Sequence, residues 1–234
     1  MTTEIRAVVF DAVGTLMYAD PPVVTAYREL GGRWGCVLSD AEIAGRFQRA
    51  LARQDDADRE SAWSTSESRE RERWQSIVAE VFSECQDVEG LFLALWDHFA
   101  DSRHWKLFPD VQACWQRLTE QGLTLAIGSN FDSRLESICR DHRLASPECI
   151  FTSSAIGWRK PSRQFFEAIE RTLQIPPDEL LFVGDSFDND YEGTQTAGWH
   201  SVLVSRQQPP LSDANNVISS LEQLDSYNRK LRRC

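Results

Sequence analysis

Ala7-Val8-Val9-Phe10-Asp11-Ala12-Val13-Gly14-Thr15-Leu16 is the stretch that decides the fold. Four apolar residues in a row fit a parallel strand covered on both faces. The run stops at a carboxylate, Asp11, and a glycine turn follows at Gly14. A strand that ends this way puts a side chain at the carboxyl edge of an open α/β sheet, where ligands bind. Taken alone, the segment is compatible with Asp11 as a nucleophile and equally with Asp11 as a loop cap.

Three more polar clusters follow downstream. Leu123-Thr124-Leu125-Ala126-Ile127 leads through Gly128 to Ser129-Asn130. Gly157-Trp158-Arg159-Lys160-Pro161 carries a lysine before a proline. Leu180-Leu181-Phe182-Val183 leads through Gly184 to Asp185, with Asp188 and Asp190 close behind. A carboxylate nucleophile, a hydroxyl, a cation and a second acidic cluster are the parts that metal-assisted phosphoryl transfer requires.

In this order the segments DAVGT, GSN, GWRKP and GDSFDND resemble the haloacid dehalogenase-like hydrolase superfamily, over residues from about 5 to about 205. Each motif is weak singly; four in order are specific. The resemblance implies Asp11, Ser129 and Lys160 as the catalytic set, with Asp11 attacking phosphorus to form an aspartyl-phosphate. It implies Gly14, Thr15, Ser129, Asn130 and Lys160 as binders of a small phosphorylated substrate. It also implies Mg²⁺ held by Asp11, the Val13 backbone carbonyl and Asp185, with Asp190 reaching the ion through a water. Hard oxygen ligands suit that ion. Asp188 falls two residues too early for the pattern and is expected on the surface or capping a loop.

The chain departs from the family at Val13, where phosphatases carry an acid that protonates the leaving oxygen. Valine cannot do this, and a general acid/base contributes roughly 10²–10⁴ in rate. Three outcomes are open: substrates with good leaving groups, a substitute acid from the inserted segment or solvent, or a weak enzyme that binds metal and phosphate. The dehalogenase branch also lacks this acid and shares the Ser129-Asn130 pair. It typically lacks the acid at the Asp185 position, however, and acids gathered beside Asp11 call for a compensating cation.

Composition narrows the classes. The 234 residues suffice for a core domain with a smaller insertion. A net charge of −11 argues against a broad nucleic-acid surface, which needs a basic patch. No apolar run approaches the roughly 20 residues that span a membrane. The start is polar, without the look of a signal peptide, and the six cysteines show no C-x-x-C pair, so a cytoplasmic protein with reduced thiols is expected. Oligomeric state leaves no mark.

Strands are expected at 5–10, 123–127, 149–151, 180–183 and, last, 202–204. Between the first two, apolar residues recur at helical spacing: Ile43, Phe47, Ala50 and Leu51; Trp74, Ile77, Val78, Val81 and Phe82; Leu91, Leu95, Trp96 and Phe99. Ser39 with Glu42 forms a candidate capping box. The charged, serine-rich stretch 52–73 is expected to be a solvated helix end and loop. Downstream helices are expected around Val111–Leu118, Leu135–Cys139 and Phe165–Leu173, the last with Pro161 in its first turn. The order predicts an α/β fold: a doubly wound parallel sheet, residues 1–16 and 104–234, with a helical cap at 17–103. Trp74, Trp96 and Trp115 sit on helical stripes and are expected in cores, while Trp158 is the candidate pocket wall. His98, His104, His142 and His200 show no metal-ligand spacing.

Overall fold

The computed structural model describes residues 4–206 and 216–224. β1 (Ala7–Phe10) leads into β2 (Met17–Ala19) and then α1 (Val23–Arg33), α2 (Asp40–Glu60), α3 (Glu67–Val81) and α4 (Val88–Ala100). β3 (Trp105–Leu107), α5 (Val111–Glu120), β4 (Thr124–Ser129), α6 (Arg134–Asp141), β5 (Ile150–Thr152), α7 (Ser153–Ile156) and α8 (Arg163–Leu173) follow. β6 (Leu180–Gly184), a π-type turn at Phe187–Glu192, α9 (Gly193–Ala197), β7 (His200–Val204) and β8 (Val217–Ile218) complete the described chain.

Six strands form one parallel sheet in the order β5-β4-β1-β6-β7-β8. β1 is fully buried, and its side chains alternate between two cores. Val8 and Phe10 join Leu125, Ile127, Leu181 and Val183 against α5 and α6. Ala7 and Val9 join Ala126 and Phe182 against Phe165, Phe166 and Ile169 of α8. Helices on both faces explain why the strands read as continuous apolar runs. The chain builds β4 and β5 on one side of β1, then crosses to β6 on the other. That reversal opens the crevice at the carboxyl ends of β1 and β6.

Helices α1 to α4 have a hydrophobic core of their own, including Tyr27, Ile43, Ile77, Phe82, Leu91 and Leu95. The capping box of α2 is formed: Ser39 accepts from the Glu42 backbone and Glu42 accepts from the Ser39 backbone. Among the described residues no helix is long and apolar enough to cross a membrane. Cys36, Cys85, Cys114, Cys139 and Cys149 are not joined in disulfides; Cys234 and the basic segment 226–234 lie outside the described residues.

Four expectations are corrected. The segment 17–103 is not purely helical: its first residues, Met17–Ala19, pair antiparallel with Trp105–Leu107, so the outgoing and returning chains form a two-stranded stalk. The stretch 52–73 holds the expected helix end and a loop over 61–66, but it is not solvated throughout, and it also holds the start of another helix. α2 continues to Glu60 and α3 starts at Glu67, because Asp58, Glu70 and Arg73 find buried partners. Pro161 lies outside α8, which starts at Arg163 behind Ser162, because residues 159–162 make a turn closed by Ser162 N donating to Arg159 O at 2.9 Å. The last strand is not 202–204: β7 begins at His200, and β8 adds an edge through two backbone bonds from Leu203 and Ser205.

Candidate active site

The carboxyl ends of three strands and one turn between helices deliver the site. Asp11 follows β1 and is anchored by its backbone N–H donating to Val183 O at 2.9 Å. Ser129 is the last residue of β4, and Asp185 follows β6. Lys160 arrives on the turn between α7 and α8, buried to 2% exposure.

Lys160 Nζ donates to Asp11 Oδ1 at 2.7 Å, to Asp190 Oδ1 at 2.7 Å and to the Gly128 carbonyl at 3.0 Å, so all three protons are used. Ser129 Oγ donates to the same Asp11 Oδ1 at 3.0 Å. Asp11 Oδ2 has no hydrogen-bond partner among the described residues, as a nucleophilic oxygen needs. Burial opposes a charge on Lys160, but Asp11 and Asp190 overcome it and hold the ammonium more firmly protonated than usual.

Asn130 grips the lysine backbone. Its Nδ2 donates to Lys160 O at 2.9 Å, and Lys160 N donates to its Oδ1 at 2.7 Å. The amide borders the cavity but is occupied in positioning Lys160. Gly14 and Thr15 stand behind Asp185 rather than on the cavity wall. Gly14 has φ +91°, and a Cβ there would fall on the Asp185 carboxylate. Thr15 Oγ1 donates to Asp185 Oδ1 at a long 3.4 Å. Gly184 likewise leaves the space that the Asp190 carboxylate fills. Val13 borders the cavity beside Asp11 and is 39% exposed.

Carboxylate oxygens of Asp11, Asp185 and Asp190 lie within 4.8 Å of one another. One ammonium cannot balance three such groups. Loss of water around Asp185, then the charges of Asp11 and Asp190, push its carboxyl up to about 7, although its side chain opens into the cavity. A divalent cation fits this imbalance and this hard oxygen set. Both Asp190 oxygens are already engaged, one by Lys160 and the other by Ser186 N at 3.0 Å, so Asp190 suits an outer position. Asp188 is exposed on the π-type turn.

The cavity above these residues has a volume of about 380 Å³. Its walls come from α1 to α4 and from Trp105 and Phe131. Trp74 and Trp96 pack against the core of the helices, as expected, and also line the cavity; Trp158 packs at the sheet against α8. Among the described residues its carboxylates are Asp11, Asp185 and Asp190, and no histidine borders it. The helices therefore offer no carboxylic acid in place of Val13. Arg134 is the wall's cation. It is bound to Asp132 at 2.7 Å through both Nε and Nη2, and its guanidinium lies 3.4 Å from the Trp96 ring centre.

A second cluster, missed in the sequence, joins the helices to the lysine turn. Asp58 is fully buried and accepts from Arg69 at 2.6 Å and Arg73 at 2.5 Å, with Arg159 Nε at 3.4 Å. Glu70 pairs with Arg159. Arg159 N donates to Trp63 O at 2.8 Å, and Thr65 N donates to Gly157 O at 3.0 Å. The residue next to Lys160 is thus held by α2, α3 and the loop between them. Ser66 ahead of the Glu67–Arg73 charge run is a helix-start signal that the loop expectation passed over, and the distant partner Arg159 leaves no local mark.

Comparison with known proteins agrees with this geometry. The family model for haloacid dehalogenase-like hydrolases matches residues 5–198. Haloacid dehalogenase-like hydrolase domain-containing protein 3 of Xenopus laevis is 26% identical over 231 residues, covering 94% of each chain. A phosphatase of this fold from Thermococcus onnurineus superposes with a TM-score of 0.67 at 22% identity, covering 95% of this chain and 97% of its own. A 2-haloacid dehalogenase from Pseudomonas syringae gives 0.66 at 18% identity, covering 97% and 99%. At such identities the two structures speak for the fold alone.

Proposed function

The chain belongs to the haloacid dehalogenase-like hydrolase family, and from that premise we propose a Mg²⁺-dependent phosphatase that acts on a small phosphorylated molecule through Asp11. The observation that carries the reading is the gathering of the Asp11, Asp185 and Asp190 carboxylates within 4.8 Å of one another, with Lys160 bridging Asp11 and Asp190, an acidic set that suits a hard divalent cation. Asp11 and Asp185 would hold the ion with the Val13 carbonyl, and Asp190 would meet it through water. When bound, Mg²⁺ supplies charge neutralisation and Lewis-acid polarisation of the phosphoryl oxygens.

The chain's own groups account for the rest. An Asp11 oxygen forms a bond to phosphorus while the ester P–O bond breaks, leaving an aspartyl-phosphate and an alkoxide or aryloxide. Lys160, fixed between Asp11 and Asp190, offsets charge on the nucleophile and on the transferring group. Ser129 Oγ, beside Asp11 Oδ1, is within reach of a phosphoryl oxygen. Val13 donates no proton, so the leaving oxygen takes one from water. A water molecule then cleaves the acyl phosphate and restores Asp11. Residues 17–103 would act as a cap that excludes bulk water from this step.

Dehalogenation of a 2-haloacid is a second reading, favoured by the non-acidic Val13. It would add a carboxylate to an already acidic floor, with Arg134 committed to Asp132. One assay separates the two. Phosphate release from a panel of monoesters that requires Mg²⁺ supports the phosphatase; halide release from 2-chloropropionate, indifferent to Mg²⁺, supports the alternative.

A further inference from the structure

The cavity walls identify the kind of molecule that the acidic floor serves. Tyr27, Phe47, Trp74, Trp96, Phe99 and Phe131 surround the space above Asp11, and the helices add aliphatic side chains between them. The wall's one charged group, Arg134, is neutralised by Asp132 and its third contact, Nη1 to Trp96 O at 3.1 Å, leaves it turned to the protein. A sugar or amino-acid body would lose its water here and find almost no hydrogen-bond partners. Aromatic walls instead reward a flat apolar body.

Tyr27 adds one polar point. It is 2% exposed, borders the cavity, and its hydroxyl has no hydrogen-bond partner among the described residues. Its ring is fixed by Phe47 at 5.3 Å and Phe82 at 5.9 Å between ring centres. A phenol hydroxyl without a protein partner at a cavity wall can donate to an acceptor on a bound molecule. The volume of about 380 Å³ holds one or two fused rings with a phosphoryl group. Val13 points the same way independently: without a general acid, leaving groups that depart as stable anions are favoured, and phenols, with a pKa of about 10, are such groups.

We propose that the site takes the phosphate monoester of a compact, uncharged aromatic alcohol or phenol. The ring lies among Tyr27, Trp74, Trp96 and Phe131, and Tyr27 donates to a single polar substituent. This rests on the phosphatase reading of the floor.

The test separates the body from the leaving group by comparing two alkyl esters, 2-phenylethyl phosphate and 2-hydroxyethyl phosphate. Both release alkoxides, so their kcat/KM ratio reports recognition of the body. A preference on the order of 10²-fold for the ring is expected, the scale of discrimination by an apolar pocket. Equal rates, or a preference for the hydroxyethyl ester, overturn the proposal. Binding of 2-phenylethanol, which has no phosphate, is followed by tryptophan fluorescence. Saturable binding that is lost in Leu51→Trp, a substitution that fills the cavity, supports the aromatic wall. If 2-phenylethanol binds in this way and neither these esters nor phenyl phosphate, whose leaving group needs no acid, is hydrolysed with Mg²⁺ present, the phosphatase reading fails and the wall stands. If both esters are hydrolysed alike and 2-phenylethanol does not bind, the wall reading fails and the phosphatase stands. Tyr27→Phe preserves the ring and so guards against misfolding. It should lower severalfold the ratio of kcat/KM for 2-(4-hydroxyphenyl)ethyl phosphate to that for the phenylethyl ester. Equal effects on both remove the hydroxyl from the account.

Discussion

Arg159, one residue before Lys160, forms a buried ion pair with Glu70 on helix α3, and Asp58 of α2 completes the cluster. The helices are therefore tied, through charge, to the turn that delivers the lysine to Asp11. Removing one member of a buried pair strands the other, a loss of about 3–5 kcal/mol. Glu70→Gln is expected to lower stability by that order in urea unfolding. It should also raise hydrogen exchange at residues 63–65 and 157–159, whose backbones pair across the junction. Unchanged exchange there would mean that the ion pair does not hold the junction.

Mg²⁺ binding should depend on pH through Asp185. Its carboxyl is pushed up to about 7 in the metal-free protein, and an unfolded aspartate titrates near about 3.9. Native protein thus carries a proton that the unfolded chain has lost, and metal-free stability should fall as pH rises between these values. Mg²⁺ needs the deprotonated carboxylate, so its affinity should rise toward pH 7 and level off above it. Calorimetric titration at pH 6 and pH 8 checks the sign. Asp185→Asn should remove both the affinity and its pH dependence; flat affinity in the unmodified protein would contradict this.

How much could be read in advance depended on distance along the chain. Asp11, Ser129, Asp185 and the strands before them were legible because each motif is local. Lys160 was legible as a residue, but Asp190 as its second acceptor was not, since the sequence placed it only near the metal. The 52–73 charge run read as solvated because its partner Arg159 lies 89 positions beyond Glu70. A helical stripe cannot show that a core residue also borders a cavity, so the second role of Trp74 and Trp96 was not legible. β2 and β3, three residues each, carry too little pattern to register.

Val13→Asp should restore the missing acid. Val13 borders the cavity beside Asp11, and the new carboxyl would be held protonated by that neighbour. Turnover of alkyl esters should rise by up to roughly 10²–10⁴, and that of aryl esters much less, because an aryloxide needs less help to leave. Equal gains on both classes would show that leaving-group protonation is not what the site lacks. No gain in a folded variant would show that another group already supplies the proton.

Lys160→Met should abolish turnover and weaken the metal-free fold, since Asp11 and Asp190 would keep their burial and lose their common cation. Added Mg²⁺ should recover part of the stability and none of the activity. Thermal melts with and without the ion, beside a phosphate-release assay, report both; a variant that melts like the parent without metal would contradict the ion-pair account.

The central claim is that Asp11 carries the phosphoryl group. Rapid acid quench of the enzyme during turnover, followed by peptide mass spectrometry, tests it directly. The account predicts the mass of one added phosphoryl group on the peptide that contains Asp11, dependent on Mg²⁺ and absent from Asp11→Asn. Full turnover with no such adduct, or an adduct on another residue, would contradict it.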